Sequence, residues 1–416
     1  MRKKSWEQES FQETSLYLCA LMRGALGGEK APEKPDEISW EDVYTLAKNN
    51  SVDGLSFLGV SDLLWPPPME LFKKWRQSYD IGLYRQLGFE EERLQIEKIL
   101  NHEGISVLYL KGILLMEYYP MPGMRSMADN DILYGFVQED KRGGYQIRGE
   151  TQEEQEAFVC QARERLKERM EERGYHIEGE PGDRAEDNHD VFIKQPFYNF
   201  EFHWDLLPKR SRHYWYYKNP WKKAVRDSQN PFHFQFEPED EYIFLLLHAS
   251  KHYEAGGAGF RFLADLYVFL EKRKDSLNWN YIQQELRSLG LSEFEEEMRT
   301  LSKAVLGKGG PLGEREKEQV SFLLDRMTYG RGDKEGRNEF LLWKKERNAK
   351  SEWEAKWRYA LDRIFLPGEM SKKDYPFFYK YRAFKPILIV WRLGKGFFSC
   401  PGKFWKEILL LLGIGQ

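Results

Sequence analysis

Hydrophobic and polar positions follow a helical period over most of the first hundred residues. The stretches ESFQETSLYLCALMRG (residues 9–24), SWEDVYTLAKNN (39–50) and the amphipathic run from Met69 to His102 each predict a helix. Ser39 or Asp42 stands where the second would take its N-cap, and Pro66, Pro67 and Pro68 break the chain before the third. From Gly104 the period shortens. GISVLYLKG reads as a strand bounded by glycine, ILLMEYYP as a helical turn or two ending at Pro120, MPGMRSMA as a loop, and DNDILYGF as a second strand. The polar segment 138–152, with its Gly143-Gly144 pair, reads as a surface excursion. EAFVCQARERLKERMEERG then places Phe158, Ala162, Leu166 and Met170 on one helical face and ends at a capping Gly174. YHIEGE, HDVFIKQ and FYNFEFHWDLL follow as three short strands.

This order predicts an α+β protein, with a small mixed β-sheet core at 104–207, a helical lead-in at 1–103 and a helical C-terminal region at 208–416. Beyond Pro208 no strand series is expected, only helices such as EPEDEYIFLLLHASKHYEAGG and GFRFLADLYVFLEKRK. The chain closes on an aromatic and Pro-rich tail from Asp362 that is expected to wrap the helices.

Composition narrows the setting. A length of 416 residues favours two or three compact units, and 41% hydrophobic with 31% charged residues describes a soluble globular chain, not a disordered one. A net charge of −4 gives no global attraction for nucleic acid or acidic membranes, so any basic site is local. Cys19, Cys160 and Cys400 are too far apart for a CxxC metal or disulfide framework and fit a reducing cytoplasm. Glu7, Glu9 and Glu13 interrupt the basic N-terminus before any apolar stretch, unlike a secretory signal, and PILIVW and ILLLLGIG are too short to span a bilayer.

Candidate chemistry centres on Asp129 and Asp131. Residues two apart on a strand share a face, so both carboxylates would stand together, as a hard divalent cation requires. The same Asp-Asn pair at a strand entry is also ordinary turn chemistry. Glu201, with Lys111-Gly112 upstream, brings the two readings level, because an acid between Phe200 and Phe202 has no structural purpose; on an adjacent strand it would complete a three-carboxylate cluster, with His203 on its face. Lys111-Gly112 ends a strand and opens a helix, where a phosphate can meet backbone N–H groups and a cation. Arg125 offers a guanidinium fork for the same ligand.

In order along the chain, Lys-Gly, a helix, Arg-x-Met-x-Asp-x-Asp and a distant Glu-x-His-Trp resemble the uncharacterised bacterial nucleotidyltransferases of the polymerase-beta-like superfamily. GYHIEG, LLLHASKHYEAGGAGFRFLADLYVFL and the tail FLPGEMSKKDYPFFYKYRAFKPILIVWRLGKG extend the likeness over nearly the whole chain. The resemblance implies a nucleotidyltransferase core with helical additions, using Mg2+, two ions, and a nucleoside triphosphate. Asp129 and Asp131 would bind metal, and Glu201 would stand at the third acid. The acceptor would be a small molecule, a protein or an RNA. Where that superfamily has Gly-Ser or Gly-Gly, this chain has Lys111-Gly112-Ile113. The alternative is a non-catalytic member that binds a nucleotide or a partner in the same cleft.

Other patterns have plainer readings. His248 and His252, four apart, suit helix packing better than a metal, and Lys251 between them is a lesser candidate for the site. Arg261 and Asp265 read as an intrahelical ion pair. The segment 209–226 interleaves basic and aromatic residues as a single-stranded nucleic acid would want, but also as an amphipathic surface helix does. GKFWKEILLLLGIG is more simply a packed helix than a membrane-surface segment.

Overall fold

The computed structural model describes residues 2–178, 188–209, 211–254, 259–308 and 310–326. The chain divides into two compact units, Met1–Ser250 with Phe260–Thr328, and Lys251–Gly259 with Tyr329–Gln416. Every described strand belongs to the first unit. The expected aromatic tail, the C-terminal GKFWKEILLLLGIG segment and Cys400 lie outside the described residues.

Four helices lead in: α1 (Arg2–Ala25), α2 (Trp40–Asn49), α3 (Asp53–Ser61) and α4 (Met69–His102). Ser39 caps α2, its Oγ accepting the Asp42 N–H at 3.1 Å. The periodicity gives no sign of α3. Its residues Leu55, Ser56, Phe57 and Val60 are all buried, so it has no polar face to create a stripe. Gly59 lets it lie against α1, since a Cβ there would stand 2.1 Å from the Leu21 carbonyl oxygen.

The core follows as β1 (Ser106–Tyr109), α5 (Gly112–Leu115), β2 (Asn130–Gly135), β3 (Val137–Glu139), β4 (Tyr145–Ile147), α6 (Gln152–Glu172), β5 (His176–Ile177), β6 (His189–Lys194) and β7 (Tyr198–His203). After residue 207 come β8 (Ala224–Arg226), β9 (His233–Phe236), α7 (Pro238–Glu254), α8 (Arg261–Arg273), α9 (Trp279–Leu289), α10 (Ser292–Leu306) and α11 (Glu314–Arg326). Seven strands form one mixed sheet in the order β5-β6-β7-β2-β1-β9-β8. The α+β reading with helical flanks therefore holds.

Three local expectations change. The excursion at 138–152 carries the β3–β4 hairpin, with Val137 opposite Ile147. Strands return after Pro208, where β9 runs parallel to β1 and β8 antiparallel to β9. These strands have three or four residues each, too few for alternation to register. Among the described residues of the 209–226 segment there is no α-helix, only a short 3-10 helix at Pro220–Lys223 followed by β8. The segment turns repeatedly, Tyr217 and Trp221 are buried, and the Lys223 ammonium lies 3.0 Å from Asp240 and 3.2 Å from Glu285. Part of its basic and aromatic content is thus taken up by packing.

Alternation along the central strands sorts the two faces. Val107, Ile132, Tyr134, Phe192, Phe200 and Phe202 face a core shared with Phe89, Ile96 and Leu100 of α4 and Ala162, Leu166 and Met170 of α6. Each fully buried phenylalanine contributes about 1.5–3 kcal/mol. That commitment fixes the register, because a slip of one residue would turn the phenylalanines out and the acids in.

Candidate functional site

β2 and β7 run parallel with Asp131 opposite Glu201 and Leu133 opposite His203. Because Phe200 and Phe202 are held in the core, Glu201 and His203 must face the other way, beside Asp131. β6 pairs antiparallel with β7 and places His189 opposite His203, their rings 4.8 Å apart. Asp129 sits one residue before β2. Between the two aspartates, Asn130 is fully buried; its Oδ1 accepts from Arg93 of α4 at 3.0 Å, and its amide donates to the Asn199 carbonyl at 3.4 Å. This buried residue pins the strand entry from which both acids project.

Lys111 reaches the same place from β1. Its Nζ lies 2.7 Å from Asp131 Oδ1, and His203 Nε2 lies 3.0 Å from that same oxygen. The Lys111 backbone has φ 47° and ψ −113°, a left-handed conformation that costs a residue with a Cβ roughly 1–3 kcal/mol. The strain turns the side chain inward, to the acids. His203 Nδ1 faces the Asn188 amide at 3.4 Å, and that amide nitrogen also donates to the Asp205 carbonyl at 2.7 Å. The amide therefore presents N–H groups, Nδ1 accepts, and Nε2 carries the proton that it donates to Asp131.

The charges are tightly linked. Burial acts to raise the Asp131 carboxyl, but the Lys111 ammonium and the His203 hydrogen bond outweigh it and hold the group well below the usual carboxylate range. Glu201 is pushed up to about 8, by burial first and then by Asp131 and Asp129. Asp129 is raised by burial and by Asp131. Burial pushes His203 down to about 4, so its imidazole is neutral at pH 7. Lys111 is raised, since Asp131, Glu201 and Asp129 together overcome burial. Like charges crowded to this degree favour a bound cation. Among the described residues, Asp131, Glu201 and His203 cluster with polar atoms within 4.8 Å of one another; the two carboxylates suit a hard divalent ion, and His203 stands beside them as a hydrogen-bond donor to Asp131.

Arg125 takes another position than a ligand-facing fork. The Arg125 fork closes on Asp265 of α8, with Nε–Oδ1 at 2.7 Å and Nη2–Oδ2 at 3.0 Å, both side chains buried. The Tyr119 hydroxyl donates to Asp265 Oδ1 at 2.9 Å, and Arg261 donates to the Ser126 carbonyl at 3.2 Å. Asp265 and Arg261 thus do not form the expected intrahelical pair; each holds the loop that leads into Asp129. Helical spacing shows which residues can meet, and a long-range bidentate partner outcompetes the local one. Gly112 makes room for this clamp, because a Cβ there would stand 2.7 Å from Arg125 Nη1. Gly112→Ala is expected to cost about 1–3 kcal/mol through overpacking, measurable by urea denaturation.

His248, Lys251 and His252 lie on α7; Lys251 and His252 are exposed, and Lys251 belongs to the second compact unit. Sequence reasoning missed His189, Asn130 and Asn188. The alternation in HDVFIK, paired antiparallel to FEFH, was the available signal for His189; the two asparagines gave none, because each acts through a contact distant in sequence.

No curated protein and no solved structure matches this chain. Among the described residues, no helix is long and apolar enough to cross a membrane. The sequence pattern of a family described as "uncharacterised nucleotidyltransferase" matches residues 36–138 and 159–307, together more than half of the chain and inclusive of Lys111, Asp129, Asp131, Glu201 and His203. On that match, the chain belongs to the uncharacterised nucleotidyltransferase family.

Proposed function

We propose that the protein transfers a nucleoside monophosphate from a nucleoside triphosphate to an acceptor hydroxyl, at the acidic centre on β2 and β7. Family membership supports nucleotidyl transfer in general. The observation that carries the specific reading is the register of Asp131 against Glu201 on adjacent parallel strands, with Lys111 opposite them.

In this reading Asp129 and Asp131 would hold a divalent cation, Mg2+ being the best match to carboxylate oxygens, and its charge would bring the raised Glu201 carboxyl beside it down into the ionised, proton-accepting form. When bound, the cation neutralises charge on the phosphate oxygens. His203, itself oriented by Asn188, steadies the Asp131 carboxylate. Lys111 offsets charge on the triphosphate as it builds at the α-phosphorus. The acceptor hydroxyl attacks that phosphorus in line, its proton passes to the Glu201 carboxylate, and pyrophosphate leaves. Arg125, tied to Asp265, shapes the loop before Asp129 and does not contact the nucleotide. The acceptor is a small molecule, a protein side chain or an RNA end.

A second reading has its own support. The Lys111 ammonium already pairs with Asp131 where a cation would bind, as expected of a member that binds nucleotide without turning it over. The two separate on incubation with each α-labelled nucleoside triphosphate, Mg2+ and cell lysate. Transfer predicts label on an acceptor that disappears with EDTA; binding alone predicts label that never becomes covalent.

A further inference from the structure

Asp131 Oδ1 has two donors, Lys111 Nζ at 2.7 Å and His203 Nε2 at 3.0 Å. A carboxylate oxygen has two lone pairs, so this oxygen is filled. Two ions about 3.5–4 Å apart are most readily bridged by a carboxylate that gives one oxygen to each. Asp131 is the best-buried acid here and the one facing both Glu201 and Lys111, yet it has a single oxygen left to give.

We infer that the site takes one divalent cation, and that Lys111 occupies the position of the second. The inference rests on the metal-dependent reading of this centre and deepens it. Backbone geometry agrees independently. Lysine at φ 47° is a costly choice where glycine would be at ease, and such strain persists only where the surroundings fix the side chain. Here the surroundings are the acids themselves. With its Nζ 2.7 Å from Asp131 Oδ1, a tethered positive charge thus stands in for an exchangeable one. His203 closes the other approach to Oδ1, and its accepting Nδ1 keeps Nε2 a donor and not a ligand.

The test uses the full chain and Mn2+ alone, with stoichiometry from equilibrium dialysis and the spin state from electron paramagnetic resonance. The wild type is expected to bind one Mn2+ with the spectrum of an isolated ion. Lys111→Ala is expected to bind two, with the spectrum of an exchange-coupled pair. Lys111→Gly, which suits the left-handed backbone and guards against a folding defect, is expected to do the same. Two ions in the wild type would overturn the inference and leave the metal-dependent reading standing. One ion in both variants would also overturn it. No ion in the wild type would overturn the inference and the metal-dependent reading together.

Discussion

Replacing Asp131 by Asn is expected to lower nucleotidyl transfer by on the order of 10³-fold while leaving the protein folded. Asparagine keeps one oxygen for Lys111 or His203 but loses the charge that both the ammonium and a divalent cation answer to. Removing a partner from a buried ion pair ordinarily costs several kcal/mol. Here the penalty is blunted because Glu201 and Asp129 also act on Lys111 and remain as its partners. Crowding also falls, since Asp131 is one of the charges that raises Glu201. Transfer measured beside urea denaturation separates the two effects. A rate loss matched by unfolding would remove the case for a chemical role, and an unchanged rate would remove Asp131 from the site.

Arg125→Ala is expected to be the most destabilising single change in the core, by about 3–5 kcal/mol. It leaves Asp265 buried with a full charge and only the Tyr119 hydroxyl as a donor. Asp265→Ala strands Arg125 in the same way. The double change Arg125→Met with Asp265→Leu leaves neither charge buried, so most of the loss returns, short of about 1 kcal/mol for the orphaned tyrosine. Denaturation of Arg125→Met, Asp265→Leu and this double closes the cycle. Additive losses would show that the two side chains do not depend on each other. Because the clamp holds the loop before Asp129, Arg125→Ala is also expected to reduce transfer without touching the reacting atoms.

The sheet was legible in its six-residue strands β2, β6 and β7, and also in the short β1 and β5, which the sequence shows as short runs beside glycine. FEFH reads as a strand because burial of Phe200 and Phe202 dictates what Glu201 and His203 must do. The same logic brought the Asp131 strand beside it. Strands of three or four residues, β3, β4, β8 and β9, were hidden because they have too few positions to alternate. Helix α3 was hidden for the opposite reason, since burial on nearly every side erases the period.

Within the site, residue type and order on the chain were enough to group Lys111, Asp129, Asp131, Glu201 and His203, because strand geometry turns spacing into facing. They were not enough for Arg125. Its guanidinium is as suited to a phosphate as to a carboxylate, and only the fold reveals that Asp265, far along the chain, reaches it first. Nor does sequence disclose the left-handed backbone at Lys111, which is a property of how β1 meets α5.

Nucleotidyl transfer is distinguished most directly by the fate of the α-phosphate. The protein, supplied with Mg2+ and either α-labelled or γ-labelled nucleoside triphosphate in the presence of lysate acceptors, is expected to place the α-label on an acceptor and release the γ-label as pyrophosphate. Transfer of the γ-label to the acceptor, or nucleotide binding that is equally tight without metal and never releases pyrophosphate, would contradict the assignment of Asp131 and Glu201 to a nucleotidyl-transfer centre.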